Sequence, residues 1–349
     1  MKSSNRIQII FLAILVLFVG ILAGCYKSGL PDVKDYLSKD MAFNQTSFLV
    51  NLERTNVFTQ IFNADYSSEP LTFKLQNFRH FDESPAPELL ATRDAKYWDD
   101  YFTGREASVA EIEGKRHTEK RPLLDIREHS GEIFFWNTDS TKVKPGIYFF
   151  DVEVSNKVGS HLFKNMILNV RLPHPYEPYE FDDSTGLRLA EDEGGILHPS
   201  TLSGAVDDLE RTLPADSVIV YFHKKSTKKN TVTFKFYDQD SLPISLTKYN
   251  MTQWDSLRFN SSTTGDYVFP FAFNRQFSQD SMSVTYDVTN PFPILADVGS
   301  DKASISFGYK RISFGRRVNS SIGLTFALFE PGEWEIIFKY KINPKFEDD

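Results

Sequence analysis

From residue 46 onward, apolar side chains return at every second position in short runs, and each run is closed by a turn. Leu71-Thr72-Phe73-Lys74-Leu75 is one such run. Tyr148, Phe150, Val152 and Val154, following Pro145-Gly146, form another. A period of two places the apolar set on one face of a pleated strand, with the intervening residues on the other. The composition agrees, since 14% of residues are aromatic and 31 are Phe, and rings suit half-buried pleated surfaces. Helical periodicity is confined to Val109 to His117 in the first half and to single turns in the second. These patterns predict an all-β chain of two β-sandwich, immunoglobulin-like domains in tandem.

The boundaries follow from punctuation. Residues 46–172 form the expected first domain, with an irregular insertion at 82–120 marked by Pro85, Pro87 and Gly104. Its clearest element is a hairpin: the strand after Pro145-Gly146, a turn at 155–160, and a returning strand from His161 to Leu172. Pro173, Pro175 and Pro178 lack the amide donor a central strand needs, so 173–184 is expected to be a linker. The second domain is expected at 185–343 and a tail at 344–349. Within it, Ser217 to Lys224 and Thr231 to Asp238 are expected to pair as a hairpin. Pro331-Gly332 precedes an aromatic strand as Pro145-Gly146 does, and suggests that both domains close with similar hairpins.

Residues 1–24 have the make-up of a signal peptide. Lys2 and Arg6 precede Ile9 to Ala23, 15 residues without a polar side chain, short of the ~20 a spanning helix needs. Leu22-Ala23-Gly24-Cys25 resembles the bacterial lipobox, in which the cysteine thiol receives a diacylglyceryl group and the new amino terminus is acylated. Cys25 is the only cysteine, so its lipidation removes disulfides, thiolate metal sites and cysteine nucleophiles from the mature chain. Residues 25–45 then form a tether, and several acyl chains make a lasting anchor. The expected location is the cell outer membrane, since Tyr26 after the cysteine differs from the Asp of inner-membrane retention.

Chemistry is sparse. Lys plus Arg is 39 against 47 Asp plus Glu, and the net charge of −8 gives no attraction to nucleic acid. No phosphate-binding glycine motif, HExxH or GxSxG is present, and no two of the seven histidines have metal-ligand spacing. Asp182-Asp183 and Glu191-Asp192-Glu193 lack the calcium-loop pattern and read as solvated acidic segments. No cofactor is expected and no catalytic residue is assigned.

Sugar binding is the chemistry the residue types allow. Pyranose rings offer apolar C–H faces that flat side chains match, with nearby polar groups bonding the hydroxyls. Tyr97, Trp98 and Tyr101 in one segment, and Tyr249 and Trp254 in another, are the candidate ligand-binding residues. Trp136 and Trp334 lie on strands and are expected in the core.

Three segments carry a wider resemblance: Gln76 to Leu89, Tyr148 to Asn156, and Gly332 to Phe338. Through them the chain resembles a family of Bacteroidota surface lipoproteins of unknown function, typically encoded beside SusD-type nutrient-binding lipoproteins and TonB-dependent transporters. The resemblance implies a lipid-anchored binding protein whose partners are that transporter, the SusD-type lipoprotein and an extracellular glycan or other nutrient. Two alternatives stay open: a structural or assembly lipoprotein that binds only proteins, and, further off, a glycosidase or other hydrolase.

Overall fold

A computed structural model describes residues 34–347 apart from 101–102, 104–105, 256, 260–271 and 295–301. The alternation of the sequence becomes an alternation of burial. In the Gly146–Ser155 strand Tyr148, Phe150, Val152 and Val154 face inward, as do Trp334, Ile336, Phe338 and Tyr340 in the Glu333–Tyr340 strand. Burying each of these side chains contributes roughly 1.5–3 kcal/mol before the entropy of ordering is counted.

The first module is a sandwich of two sheets. One sheet runs Ser47–Asn51, Ser160–Arg171, Gly146–Ser155, Thr72–His80, with the first pair parallel and the others antiparallel. Facing it are Asn56–Phe58, Ile133–Phe135 and Leu124–Ile126. Phe48, Phe150 and Leu168 from one sheet and Leu124, Ile133 and Phe135 from the other share one buried core. The arrangement is that of an immunoglobulin-like module, including the parallel pairing of an early strand with the last one. Asp151 is a buried charge in this interior, 3% exposed. It sits where the pairing shifts register on both sides, and accepts hydrogen bonds from Asn77 Nδ2 (2.8 Å) and the Asn165 amide (2.9 Å), with Arg79 3.5 Å away. Asn77 and Asn165 both have positive φ, the conformation asparagine tolerates best among residues with a Cβ.

The second module stacks a five-stranded sheet on a second sheet. The order in the first is Val218–Ser226, Glu333–Tyr340, Thr231–Tyr237, Ser283–Val288, Ala272–Phe277. The other is built around the long hairpin Ala303–Ser313 and Arg316–Leu328, flanked by Tyr176–Glu177 and Thr201–Ser203. Phe234, Phe236, Phe307, Phe326 and Phe338 meet between them, with Phe236 and Phe338 stacked at 5.0 Å. Trp136 and Trp334 are both core residues.

Four expectations need correcting. The 218–226 and 231–237 strands do not pair with each other. The Glu333–Tyr340 strand lies between them, antiparallel to one and parallel to the other. The residues joining them span the width of one intervening strand, roughly 10 Å, and the most regular apolar alternation in the chain takes the central place. The first module closes with the expected hairpin, Gly146–Ser155 paired antiparallel with Ser160–Arg171, but neither Pro-Gly turn itself closes a hairpin. Each carries the chain from one sheet to the opposite one, from Ile133–Phe135 to Gly146–Ser155 and from Arg316–Leu328 to Glu333–Tyr340. Tyr148 Oη donates to the Lys144 carbonyl at 3.0 Å and Trp334 Nε1 to the Glu330 carbonyl at 3.0 Å, both four residues upstream. Both corners are thus tied by the same bond, as tyrosine corners are in immunoglobulin-like folds. At Gly332, where φ is +154°, a Cβ would stand 2.7 Å from the Ser226 carbonyl oxygen, so only glycine fits.

The insertion at 82–120 is not irregular. Thr92–Trp98 and Arg116–Pro122 form an antiparallel hairpin joined through a short α-helix, Val109–Gly114, which Ser108 caps by accepting from the Glu111 amide. Its strands are mostly polar, which hides their period. The linker and tail also enter the core, and so does the end of the expected tether: Met41 and Phe43 are buried in the first core, and Ala42–Phe43 pairs with Phe62–Asn63. Tyr176 stacks on Phe222 at 4.5 Å, and Phe346 is 5% exposed.

Two substitutions check this account by urea unfolding. Asp151→Ala strands the amides of Asn77 and Asn165 and should lower stability by about 1–3 kcal/mol. Tyr148→Phe removes only the corner bond and should lower it by about 1 kcal/mol.

Candidate functional site

The four described ligand-binding candidates, Tyr97, Trp98, Tyr249 and Trp254, do not form one surface. Tyr249 is fully buried: its ring packs on Phe236 at 4.2 Å, and its phenol meets the Tyr340 phenol at 3.3 Å. It offers no face to a ligand, because it ends the short 3-10 turn Leu246–Lys248, which turns its ring into the second core. Trp254 is half-buried against the same core, near Phe277 (5.4 Å) and Phe307 (5.8 Å), and its carbonyl accepts from the Tyr286 phenol. Tyr101, like Cys25, lies outside the described residues.

Tyr97 and Trp98 are neighbours on a strand, so they point to opposite faces. Tyr97 packs against the first core, 5.1 Å from Trp136, with the Arg127 guanidinium 5.2 Å above its ring. Trp98 packs against the second core, and so does Ile112 of the helix, which is fully buried. The 92–122 hairpin is therefore a wedge with one apolar face in each module. Its aromatic richness reflects two cores to fill, not an exposed platform.

A polar clamp holds the same junction. Arg54 donates to Glu177 (2.5 Å), Asn51 (2.9 Å) and Asn56 (3.3 Å), and its guanidinium lies 4.4 Å over the Phe329 ring. Lys302 reaches the second oxygen of Glu177 at 3.0 Å, and Asn51 donates to the Leu172 carbonyl at 3.1 Å. Burial by itself would raise the Glu177 carboxyl. The approach of His174 (3.9 Å), the Arg54 charge and the hydrogen bonds from Arg54 and Lys302 reverse that and hold it well below the usual carboxylate range.

The residues that sequence reasoning passed over lie at the other face of the Gly146 corner. An open cleft of about 740 Å³ is lined there by His80, Phe81, Glu88, Lys142, Lys144 and Tyr148 among others. Phe81 stands at a turn with its ring 71% exposed, stacked on Phe149 at 6.3 Å. His80 Nε2 and Glu88 Oε1 are 3.0 Å apart, and the His80 ring lies 5.0 Å from that of Tyr148. The Ser84 hydroxyl (2.6 Å) and amide (3.0 Å) donate to Asp82 and hold its carboxyl below the usual range. Ile147 is also exposed. The cleft thus offers one apolar ring, two carboxylates and two lysines around an open floor, a shape and chemistry suited to polar ligands with an apolar face. The signal that could have found it is an aromatic inside a turn sequence, His80-Phe81-Asp82-Glu83-Ser84-Pro85, where a polar residue is expected. Among the described residues no group of three or more His, Cys, Asp or Glu could hold a metal ion.

Fold and site together define a tandem β-sandwich protein with immunoglobulin-like topology in its first module. Residues 62–348 match the model of the domain of unknown function DUF5007, and the chain belongs to that family. No curated protein matches it. Among solved structures, the Sidekick-1 immunoglobulin domains 1–5 are similar at 9% identity and a TM-score of 0.12, over 88% of this chain and 60% of that one. This chain thus spans less than two thirds of that structure, and the fold assignment rests on strand order instead.

The clamp predicts a pH dependence. A carboxyl held below its unfolded pKa adds stability above that pKa, and the contribution fades as pH falls from the ordinary carboxylate value of about 4.3 toward the lower folded value. Wild type should therefore exceed Glu177→Gln in urea midpoint at pH 7, and the gap should narrow at pH 3.

Proposed function

We propose that the chain is a lipid-anchored cell-envelope protein that captures a glycan or similar nutrient by reversible binding, as an accessory to a TonB-dependent transporter and its SusD-type lipoprotein. Support for the anchor is the lipobox-like Leu22-Ala23-Gly24-Cys25. Support for the partners is the resemblance to the Bacteroidota surface lipoproteins. The observation that carries the binding reading is Phe81, a ring left 71% exposed but stiffened from behind by Phe149. A sugar's C–H face stacks on such a ring, and Asp82, Glu88, Lys142 and Lys144 stand ready for its hydroxyls. Two of the three segments that carry the family resemblance, 76–89 and 148–156, supply residues to this cleft.

The ligand role moves from Tyr97, Trp98 and Tyr249 to this cleft, since Tyr97 and Trp98 are engaged in the junction and Tyr249 in the core.

Affinity electrophoresis of the non-lipidated chain against a polysaccharide panel tests the reading. At least one glycan should retard the wild type, and Phe81→Ala should weaken that retardation about tenfold. Equal mobility on every glycan would remove the capture role. Separately, Cys25→Ala should abolish palmitate incorporation and move the chain out of the membrane fraction.

A further inference from the structure

Five large apolar side chains are left exposed at the end of the second module away from the junction. Phe314 is 92% exposed, Leu209 72%, Leu242 61%, Ile312 41% and Ile342 40%. Three ties hold their loops together. The Ser313 hydroxyl donates to Glu210 (2.7 Å), the Lys345 amide to the Val206 carbonyl (2.8 Å), and the Gln239 amide to Asn343 (2.9 Å).

Phe314 is doubly disfavoured as a folding residue. It occupies the two-residue turn Phe314-Gly315 with φ of 48°, a place suited to Asn or Gly, where a bulky side chain costs about 1–2 kcal/mol. Its ring returns nothing to the core, because it touches almost nothing. Strain kept at an exposed aromatic points to a role outside folding. An exposure of 92% describes a knob and not a groove. Lys310, Arg316 and Arg317 flank the knob along its hairpin, and Arg317 is paired with Glu347 at 2.6 Å. Glu210 at the base of the tip is held by Arg311 (3.3 Å) and Lys345 (2.8 Å), which leaves Lys310 and Arg316 beside the ring. An apolar tip with long cations beside it is complementary to the interfacial zone of a bilayer, where rings sit at headgroup depth and cations meet phosphates.

We infer that the apex of the second module is a lipid-binding surface, with Phe314, Ile312 and Leu209 entering the interface and Lys310 and Arg316 meeting anionic headgroups. The inference rests on the lipid-anchored reading, which keeps the chain at a bilayer surface. The net charge of −8 gives no long-range attraction, so the contact is short-range and weak on its own. An anchored chain needs no more, because tethering raises the effective concentration of the apex at the surface.

The test places a reporter at the tip. Phe314→Trp keeps an aromatic there, and Leu187→Trp marks an exposed site beside the junction (70% exposed) as a control. The lipidated chain is reconstituted into phosphatidylethanolamine–phosphatidylglycerol vesicles with brominated acyl chains. The fluorescence added at 314 should be quenched at least twofold more than that added at 187, and Arg316→Glu with Leu209→Ser should abolish the difference. Vesicle sedimentation reports the Cys25 anchor separately. A Cys25→Ser chain with excess vesicles must still show quenching at 314, so failure of the anchor is distinguishable from failure of the apex. Equal quenching at the two sites in both preparations overturns the inference. So does a change at 314 that appears only when envelope protein is added, which would make the apex a protein-docking surface.

Discussion

The position of one module against the other depends on a half-buried ion pair between a loop of the first and the opening strand of the second. Arg54 alone touches Asn51, Asn56, Glu177 and the face of Phe329, and so draws on both sandwiches at once. Such a pair is oriented by its hydrogen bonds more than it is strengthened by its charges, since desolvation offsets much of the attraction. Beside it the 92–122 hairpin inserts Ala95 and Tyr97 into one core and Trp98 and Ile112 into the other. The polar clamp sets the geometry, and the apolar wedge supplies the area that makes it hold.

With the junction fixed, the remaining features fall into order along the chain. Tyr36 is held by Ser68 and Asn156, at the end of the first module where the Gly146–Ser155 and Ser160–Arg171 strands turn. The junction lies at the other end of those strands, roughly 30 Å away by strand rise. The Phe81 cleft opens at that end too, beside Gly146. From Leu328 at the junction, the Arg316–Leu328 strand leads roughly 40 Å further to the apex. The route from Tyr36 therefore passes the cleft before it reaches Phe314.

Much of the fold was legible because alternation is a local property. Tyr148 to Val154 and Trp334 to Tyr340 declare strands from composition and spacing alone, and the prolines at 173, 175 and 178 mark where one sandwich gives way to the next. Pairing partners were not legible. That Glu333–Tyr340 enters between two strands a hundred residues earlier is decided by the whole sheet, and no short window contains it. The candidate site failed for a related reason. Tyr97, Trp98 and Tyr249 have the composition of a sugar platform, but composition does not distinguish a ring facing water from one facing a second core. Phe81 and Phe314 carried a usable sign: each is an aromatic in a turn, where packing gives it no reason to be.

The parallel pairing of Ser47–Asn51 with Ser160–Arg171 has a mechanical meaning. A tug between the tether and the second module draws the first strand from its beginning and the last strand from its end, in opposite directions. All the hydrogen bonds of that ladder are then sheared together, whereas a pair peeled from one end would give way bond by bond. A body moored at its N-terminal side and tugged by whatever holds its far side would resist such force through five residue pairs acting at once.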